Sequence, residues 1–323
     1  YNKNINEINL KTGSYNKREI NWINTNKINQ YIFNTYLSHN QTDGYRDENE
    51  QQQNNITSEL KFSKEKGDHL FVFNFSEQIM STPSDRDQNQ LYSDRRGSDT
   101  PDDFINSEGG SVLYSSDYRI DDYKTFLLNS SFRLKDSYSD LQSTNYPSYN
   151  DTNLTNYQLS PRIDHLIHFF NKPTNSTYGL DIQYADYKSY RKKSKYAIPL
   201  HEYDAEHFVQ SIYIQNSSQL NNKTNLSTGF RFQMNNIKIT DILNTSAPDY
   251  AGWQTEHESL NNKEKNYAFN LGIDKKITVK STIYSRIGRG FRYPNIDDRI
   301  GGSGDTSLEL STQTSQDYEI GIK

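Results

Sequence analysis

The sequence predicts an all-β protein, an antiparallel transmembrane β-barrel, on three observations. Apolar residues recur with period two along the whole chain, short and long connections alternate between the apolar runs, and the runs exceed the length of globular strands. Period two puts successive side chains on opposite faces of a sheet. Leu226, Thr228, Phe230, Phe232 and Met234 share one face, while Asn225, Ser227, Gly229, Arg231, Gln233 and Asn235 share the other. The same division runs through Phe71, Phe73 and Phe75 against Val72, Asn74 and Ser76, and through Tyr267, Phe269, Leu271 and Ile273 against Ala268, Asn270, Gly272 and Asp274. It returns in Ile56, Leu60 and Phe62, and in Phe126, Leu128, Phe132 and Leu134. One face is therefore greasy and the other wet.

Short connections rich in Asn, Asp, Gly or Pro are expected near 24–27, 64–68, 119–123, 171–177, 220–223 and 274–276. Long polar ones are expected near 40–54, 81–110, 136–156, 190–206, 239–262 and 291–314. These divide the chain into roughly thirteen strands of about 9 to 14 residues, with hairpins repeating every ~45 to 55 residues. Ten residues at ~3.3 Å rise and ~45° tilt cover about 23 Å, the height of the apolar band of an outer-membrane barrel. Short turns would then face the periplasm and long loops the exterior. Globular strands have a mode of about 5 to 6 residues, and a soluble sandwich gives no reason for charges along the wet face; a water-filled lumen does.

Composition closes off other classes. Twenty-five tyrosines and 15 phenylalanines are too many for a disordered chain, although only 32% of the 323 residues are hydrophobic. Mean hydropathy is −1.00, as expected if loops and lumen outnumber the lipid-facing band. Nothing approaches the ~18 consecutive apolar residues of a membrane helix. The absence of Cys removes disulfides, thiolate metal sites and thiol catalysis. A net charge of −5 with interspersed signs argues against nucleic acid as a partner.

No catalytic constellation stands out, and none of the metal-like spacings is convincing. Gly301, Gly302 and Gly304 lack the Lys-Ser/Thr and the helix of a phosphate loop. His165 and His168 fall on opposite strand faces and cannot share a metal. His201 and His207 flank Glu202, Asp204 and Glu206, which read as a solvated acidic loop. The sequence therefore predicts no enzyme, no cofactor and no metal centre.

The most distinctive text is near the end: Phe291-Arg292-Tyr293-Pro294-Asn295, followed by Tyr318-Glu319-Ile320-Gly321. It resembles the barrel of TonB-dependent outer-membrane receptors of the siderophore type, in which a strand exits through Phe-Arg-x-Pro-Asn and the next opens with Tyr-Glu-x-Gly. Asp43-Gly44-Tyr45-Arg46-Asp47, Leu159-Ser160-Pro161-Arg162 and Thr228-Gly229-Phe230-Arg231 are similar to earlier family segments, in the family's order. The resemblance implies a 22-stranded barrel holding an N-terminal plug energised by the TonB complex, in the outer membrane of a diderm bacterium. Residues 1–323 would be part of that barrel, without the plug domain, the TonB box or the C-terminal strands.

It also implies uptake of a scarce extracellular small molecule, most often a ferric siderophore, with haem, cobalamin or oligosaccharide as alternatives. The chelate would be ligand rather than cofactor, and lipid and lipopolysaccharide would contact the outer face. Haem is disfavoured, since no His lies between Phe291 and Lys323. A passive porin-like barrel and a soluble β-rich glycan-binding or adhesion protein are the readings outside the class. Anionic or catechol-rich chelates call for Arg forks and aromatic faces. The candidate ligand contacts are Tyr45, Arg46, Arg86, Tyr92, Arg95, Arg96, Trp253, Arg289, Arg292 and Tyr293, each also readable as a rim-girdle residue.

Overall fold

The structure, a computed structural model, describes residues 4–142, 147–169, 171–248, 255–300 and 308–323. Among them the strands are β1 (Ile5–Gly13), β2 (Lys17–Ile28), β3 (Tyr31–Thr42), β4 (Gln51–Lys64) and β5 (Gly67–Ser81). A short helix, α1 (Gln88–Ser93), precedes β6 (Phe104–Arg119), β7 (Lys124–Leu141), β8 (Ser148–Phe169), β9 (Lys172–Lys192) and β10 (His201–Asn221). Then come β11 (Thr224–Leu243), β12 (Leu260–Lys276), β13 (Thr282–Arg292), α2 (Ile296–Ile300) and β14 (Gln313–Ile322). All fourteen strands form one antiparallel sheet in sequence order, and β1 and β14 are its two free edges.

The count is one above the thirteen expected, because a turn at 14–16 separates β1 from β2. Tyr15 and Asn16 both take positive φ there, 59° and 51°, a conformation Tyr does not advertise in a sequence. The turn expected at 24–27 lies inside β2; the chain reverses two residues later, where Asn29 has φ 55°. Residues 274–276 likewise end β12, and most of 136–156 and 172–177 is strand. Polar composition led to loops where a wet strand face continues. The alternation itself holds: 29–30, 65–66, 120–123, the reversal between β8 and β9, 222–223 and 277–281 close one end, and the longer connections from 43–50 onward lie at the other.

Register fixes which face is which. Phe230 pairs with Ile214 and Phe269, Phe73 with Ser58 and Val112, and Phe132 with Val112 and Tyr157, so the greasy positions line up across the sheet. Phe73, Phe230, Leu271 and Ile212 are all exposed, as a lipid-facing band requires. On β11 the band runs from Leu226 to Met234; nine residues at ~3.3 Å and ~40° tilt give about 23 Å. Rings border it: Tyr31, Phe62, His69, Phe71 and Tyr114 stack across β3 to β6 at the short-turn end, with neighbouring centroids 4.7–5.6 Å apart in the closest pairs. Phe132, Tyr157 and Tyr184 continue such a girdle on β7 to β9.

The strands β8 to β11 are 20 to 22 residues long, well beyond what the band needs, and extend past it at the long-loop end. There the inner face changes character. Within the band it is polar, with the Arg231 guanidinium 2.8 Å from Asp181 and the Ser211 hydroxyl donating to the same carboxylate at 3.3 Å. Above it, Tyr187, Tyr203, Ala205, Ile237 and Ile239 occupy the same inward register and are buried. Ile296, Ile300 and Leu308, from the connection between β13 and β14, cover them. Each large apolar side chain so buried contributes about 1.5–3 kcal/mol, so the molecule's main apolar core lies at its mouth.

Candidate functional site

The long-loop end carries two groups of the expected ligand contacts. In the first, the turn 14–16, the connection 43–50 and the connection 82–103 converge. The Arg96 guanidinium lies 5.6 Å from the ring centroids of both Tyr15 and Tyr45, and those rings meet edge to face at 5.7 Å. The Asp47 amide donates to the Arg96 carbonyl at 2.8 Å and ties the loops together. Asp87 caps α1 by accepting from the Gln90 amide, and this helix presents Tyr92, 84% exposed. Arg95 and Arg96 are exposed, and among the described residues neither makes an ion pair.

Arg46 and Arg86 are placed differently. Arg46 donates to the carbonyls of Ser84 and Gly97, at 2.5 and 3.0 Å, bracing the neighbouring loop. Arg86 is nearly buried; it donates to both Asp99 carboxylate oxygens at 3.1 Å and to Asp94 at 3.3 Å. Both guanidiniums are engaged in holding the 82–103 loop, so the exposed side chains of this group are Arg95, Arg96, Tyr15, Tyr45 and Tyr92. Tyr15 was missed from sequence because its turn was missed.

The second group surrounds the β13 exit. Arg289 pairs in register with Phe269, a lipid-face residue, so it points outward; its guanidinium sits 4.1 Å from the Tyr267 ring centroid, in the manner of a rim girdle. Arg292 points inward and is exposed, with Asp298 at 3.4 Å. Tyr293 reaches across the mouth, donating to the Gln233 carbonyl and accepting from Asn266, both at 3.4 Å. Burial pushes its phenol up from the usual tyrosine value. Trp253 lies outside the described residues.

The sequence motif acquires a physical reading here. Asn295 accepts from the Asp298 amide at 2.6 Å while Asp298 accepts from the Asn295 amide at 3.0 Å, a reciprocal cap that starts α2 directly after buried Pro294. Phe291 meets Tyr293 edge to face at 5.3 Å. Behind the helix, Arg299 is buried and donates to the carbonyls of Leu308 and Leu310 at 2.6 and 3.1 Å, with Glu264 at 3.8 Å. α2 and Leu308 thereby cover the core. In β14, Tyr318 faces out, while Glu319 accepts from the Tyr284 hydroxyl at 2.8 Å. Gly321 pairs with Tyr284, whose ring occupies the space a Cβ would need.

The histidines are also re-sited. Residues 201–206 are strand rather than loop: Glu202, Asp204 and Glu206 point outward, and His201 points inward. Asp204 and Glu206 make exposed cross-strand pairs with Lys188 and Lys238. His207 hydrogen-bonds the Asn235 side-chain oxygen. Burial pushes this imidazole below its ordinary value and the nearby Arg299 cation pushes the same way, outweighing the Asn235 bond. His201 and His257 each place Nδ1 2.8 Å from one of the two Asp241 oxygens, and the His257 amide donates to Oδ2 at 3.0 Å. Burial pushes the Asp241 carboxyl up, but these bonds outweigh it and hold the group below the usual carboxylate range.

No protein-family model and no curated protein matches this sequence. Solved structures do match in fold. The ferric citrate transporter FecA in its unliganded form aligns with a TM-score of 0.80 at 11% identity, over 96% of this chain and 47% of FecA. The siderophore receptor PiuA from Acinetobacter baumannii aligns at 0.79 and 11% identity, over 100% of this chain and 55% of that one. The ferric yersiniabactin uptake receptor FyuA from Yersinia pestis aligns at 0.77 and 13%, over 99% and 52%. The chain thus has the fold of the TonB-dependent receptor barrel and spans about half the length of the structures it matches.

Proposed function

We propose that the chain forms part of an outer-membrane TonB-dependent receptor that takes up a ferric siderophore. The observation that carries this reading is the whole-chain likeness to siderophore and ferric-chelate receptor barrels, over 96–100% of the chain in the three described. In the proposed whole, further strands pair with β1 and β14, an N-terminal plug fills the lumen and couples to TonB, and lipid and lipopolysaccharide cover the outward band. The iron chelate is cargo, and no reaction is catalysed.

Recognition begins at the mouth. Among the described residues Arg95 and Arg96 have no carboxylate partner; Arg96 lies over the rings of Tyr15 and Tyr45, and Tyr92 is exposed on the same loop. That chemistry suits an anionic, aromatic or hydroxamate-rich chelate, which accepts charge-assisted hydrogen bonds and stacks on rings. Arg292 and Tyr293 form a second contact across the mouth. Arg46 and Arg86 preorganise the loop that holds the first contact, and Arg289 belongs to the outer rim.

Binding is tested on the full-length receptor in detergent, using ferric citrate, a ferric catecholate and hemin as probes and intrinsic fluorescence as the signal. A ferric chelate should bind with hemin failing to compete, and Arg95→Ala with Arg96→Ala should weaken it roughly tenfold or more, the loss of one or two charge-assisted bonds. Binding of hemin alone, or an unchanged affinity in the double variant, contradicts the ligand class or the contact assignment respectively.

A further inference from the structure

We propose that His201, Asp241 and His257 form a site for one divalent transition-metal ion of the zinc class, which clamps the chain at His257 onto the ends of β10 and β11. Three chain positions far apart in sequence bring two imidazole nitrogens and a carboxylate to one point, their ligand atoms all within 4.8 Å of one another. Register explains how. Asp241 pairs with Tyr203, and His201 lies two residues before Tyr203 on the same inward face, so the first two ligands are diagonal neighbours on adjacent strands. The chain then returns from its long connection and lays His257 against the other carboxylate oxygen.

The donor set selects the ion class. Zinc takes imidazole nitrogen at ~2.0–2.1 Å and carboxylate oxygen at ~2.0–2.2 Å, commonly from three protein ligands with a fourth position open. Calcium and magnesium ask for six or more oxygens, which this cluster does not supply. One carboxylate charge and two neutral rings suit a divalent cation. The surroundings hold the ligands in place: the His257 amide fixes Asp241 Oδ2, and the Tyr203 ring lies parallel to His201 at 5.5 Å, within 4°. Asp241 and His201 are buried, while His257 keeps 12% of its side chain exposed; in the proposed site solvent supplies the fourth ligand.

The proton balance is simple. An ionised carboxylate only accepts, so each Nδ1 facing Asp241 carries the ring proton in the metal-free state. In the bound state each neutral ring carries its single proton on Nε2 and offers the Nδ1 lone pair to the ion. No proton is lost overall from neutral rings, whereas protonated rings release one each, so affinity falls in acid. The consequence is mechanical: the connection between β11 and β12 becomes anchored at its C-terminal side. The site is independent of ferric-chelate transport, and either proposal can fail alone.

The test uses the full-length receptor in detergent, stripped with a chelator, then titrated with Zn2+ by calorimetry and with Co2+ by visible absorption. One equivalent of Zn2+ should bind, Co2+ should give the intense bands of a four-coordinate site, and His257→Ala should lower affinity at least tenfold. His257 lies on a loop, so that variant should retain the heat-modifiable migration of a folded barrel. Asp241→Asn keeps the shape and removes the charge, and should weaken binding similarly. Absence of a stoichiometric site, or affinity unchanged in both folded variants, overturns the proposal and leaves the cluster a hydrogen-bonded anchor only.

Discussion

Gly179 shows how single positions set the lumen. It pairs with Tyr213, and a Cβ there would lie 2.6 Å from the Tyr213 hydroxyl and 2.9 Å from the Arg162 Cβ. The ring lies over the glycine, and Arg231 in turn sits 5.8 Å from that ring's centroid while pairing with Asp181. Gly179→Ala should therefore push Tyr213 off its seat and disturb the ion pair, costing about 1–3 kcal/mol as overpacking does. The denaturation midpoint of the full-length barrel in detergent measures it; an unchanged midpoint means that Tyr213 moves freely. The same scale separates the arginines. Arg95 and Arg46 are equally charged in the sequence; among the described residues only Arg46 is tied to loop carbonyls, and Arg95 stays exposed.

At the scale of elements, the extension of β8 to β11 beyond the membrane band creates a blade whose inner face is an apolar core sealed by α2. The switch is visible in β11: apolar residues sit at even positions from Leu226 to Met234, then at Ile237 and Ile239. No bulge intervenes between β10 and β11 over this stretch, so the change of phase moves the greasy side from lipid to interior. That signal was legible and went unused. His207 lies within this packing, facing Asn235 and the Arg299 cation.

Its folded-state pKa is depressed while the unfolded chain keeps the ordinary value near 6.5. Between those two values the unfolded state binds more protons, so stability falls as pH drops below about 6.5. Hydrogen-exchange protection at the long-loop ends of β10 and β11, taken as the observed rate against the intrinsic chemical rate at each pH, should fall on going from pH 7.5 to about 5.5. His207→Asn should abolish that fall. An equal pH response in the variant assigns the effect to another group.

The whole molecule is a sheet with two solvents. In the proposed receptor, lipid meets the aromatic outward positions, and water meets Arg231, Asp181 and their neighbours within. Phe230, at the middle of the band on β11, and Gln215, its register neighbour's inward companion on β10, provide a matched test. Phe230→Arg should cost about 2–4 kcal/mol when the full-length protein folds into lipid vesicles, since it places a cation near the bilayer midplane. Gln215→Arg should be tolerated within about 1 kcal/mol, because the lumen is wet. Equal costs would mean that the faces are not lipid and lumen.

The sequence by itself determined the class of fold, the outward-facing residues and the alternation of loop lengths, because strand periodicity and turn chemistry are local and repeat fourteen times. The motif around Phe291 to Asn295 was equally visible, since a capped exit is written in adjacent residues. Tertiary structure alone decided which arginines brace a loop, that Arg289 looks outward, that α2 and Leu308 cover a core, and that His201, Asp241 and His257 meet. Those facts depend on pairings across tens of residues and on which carbonyls or carboxylates a loop brings near. A long polar side chain reads the same in sequence whether its partner is water, a neighbouring strand or a ligand.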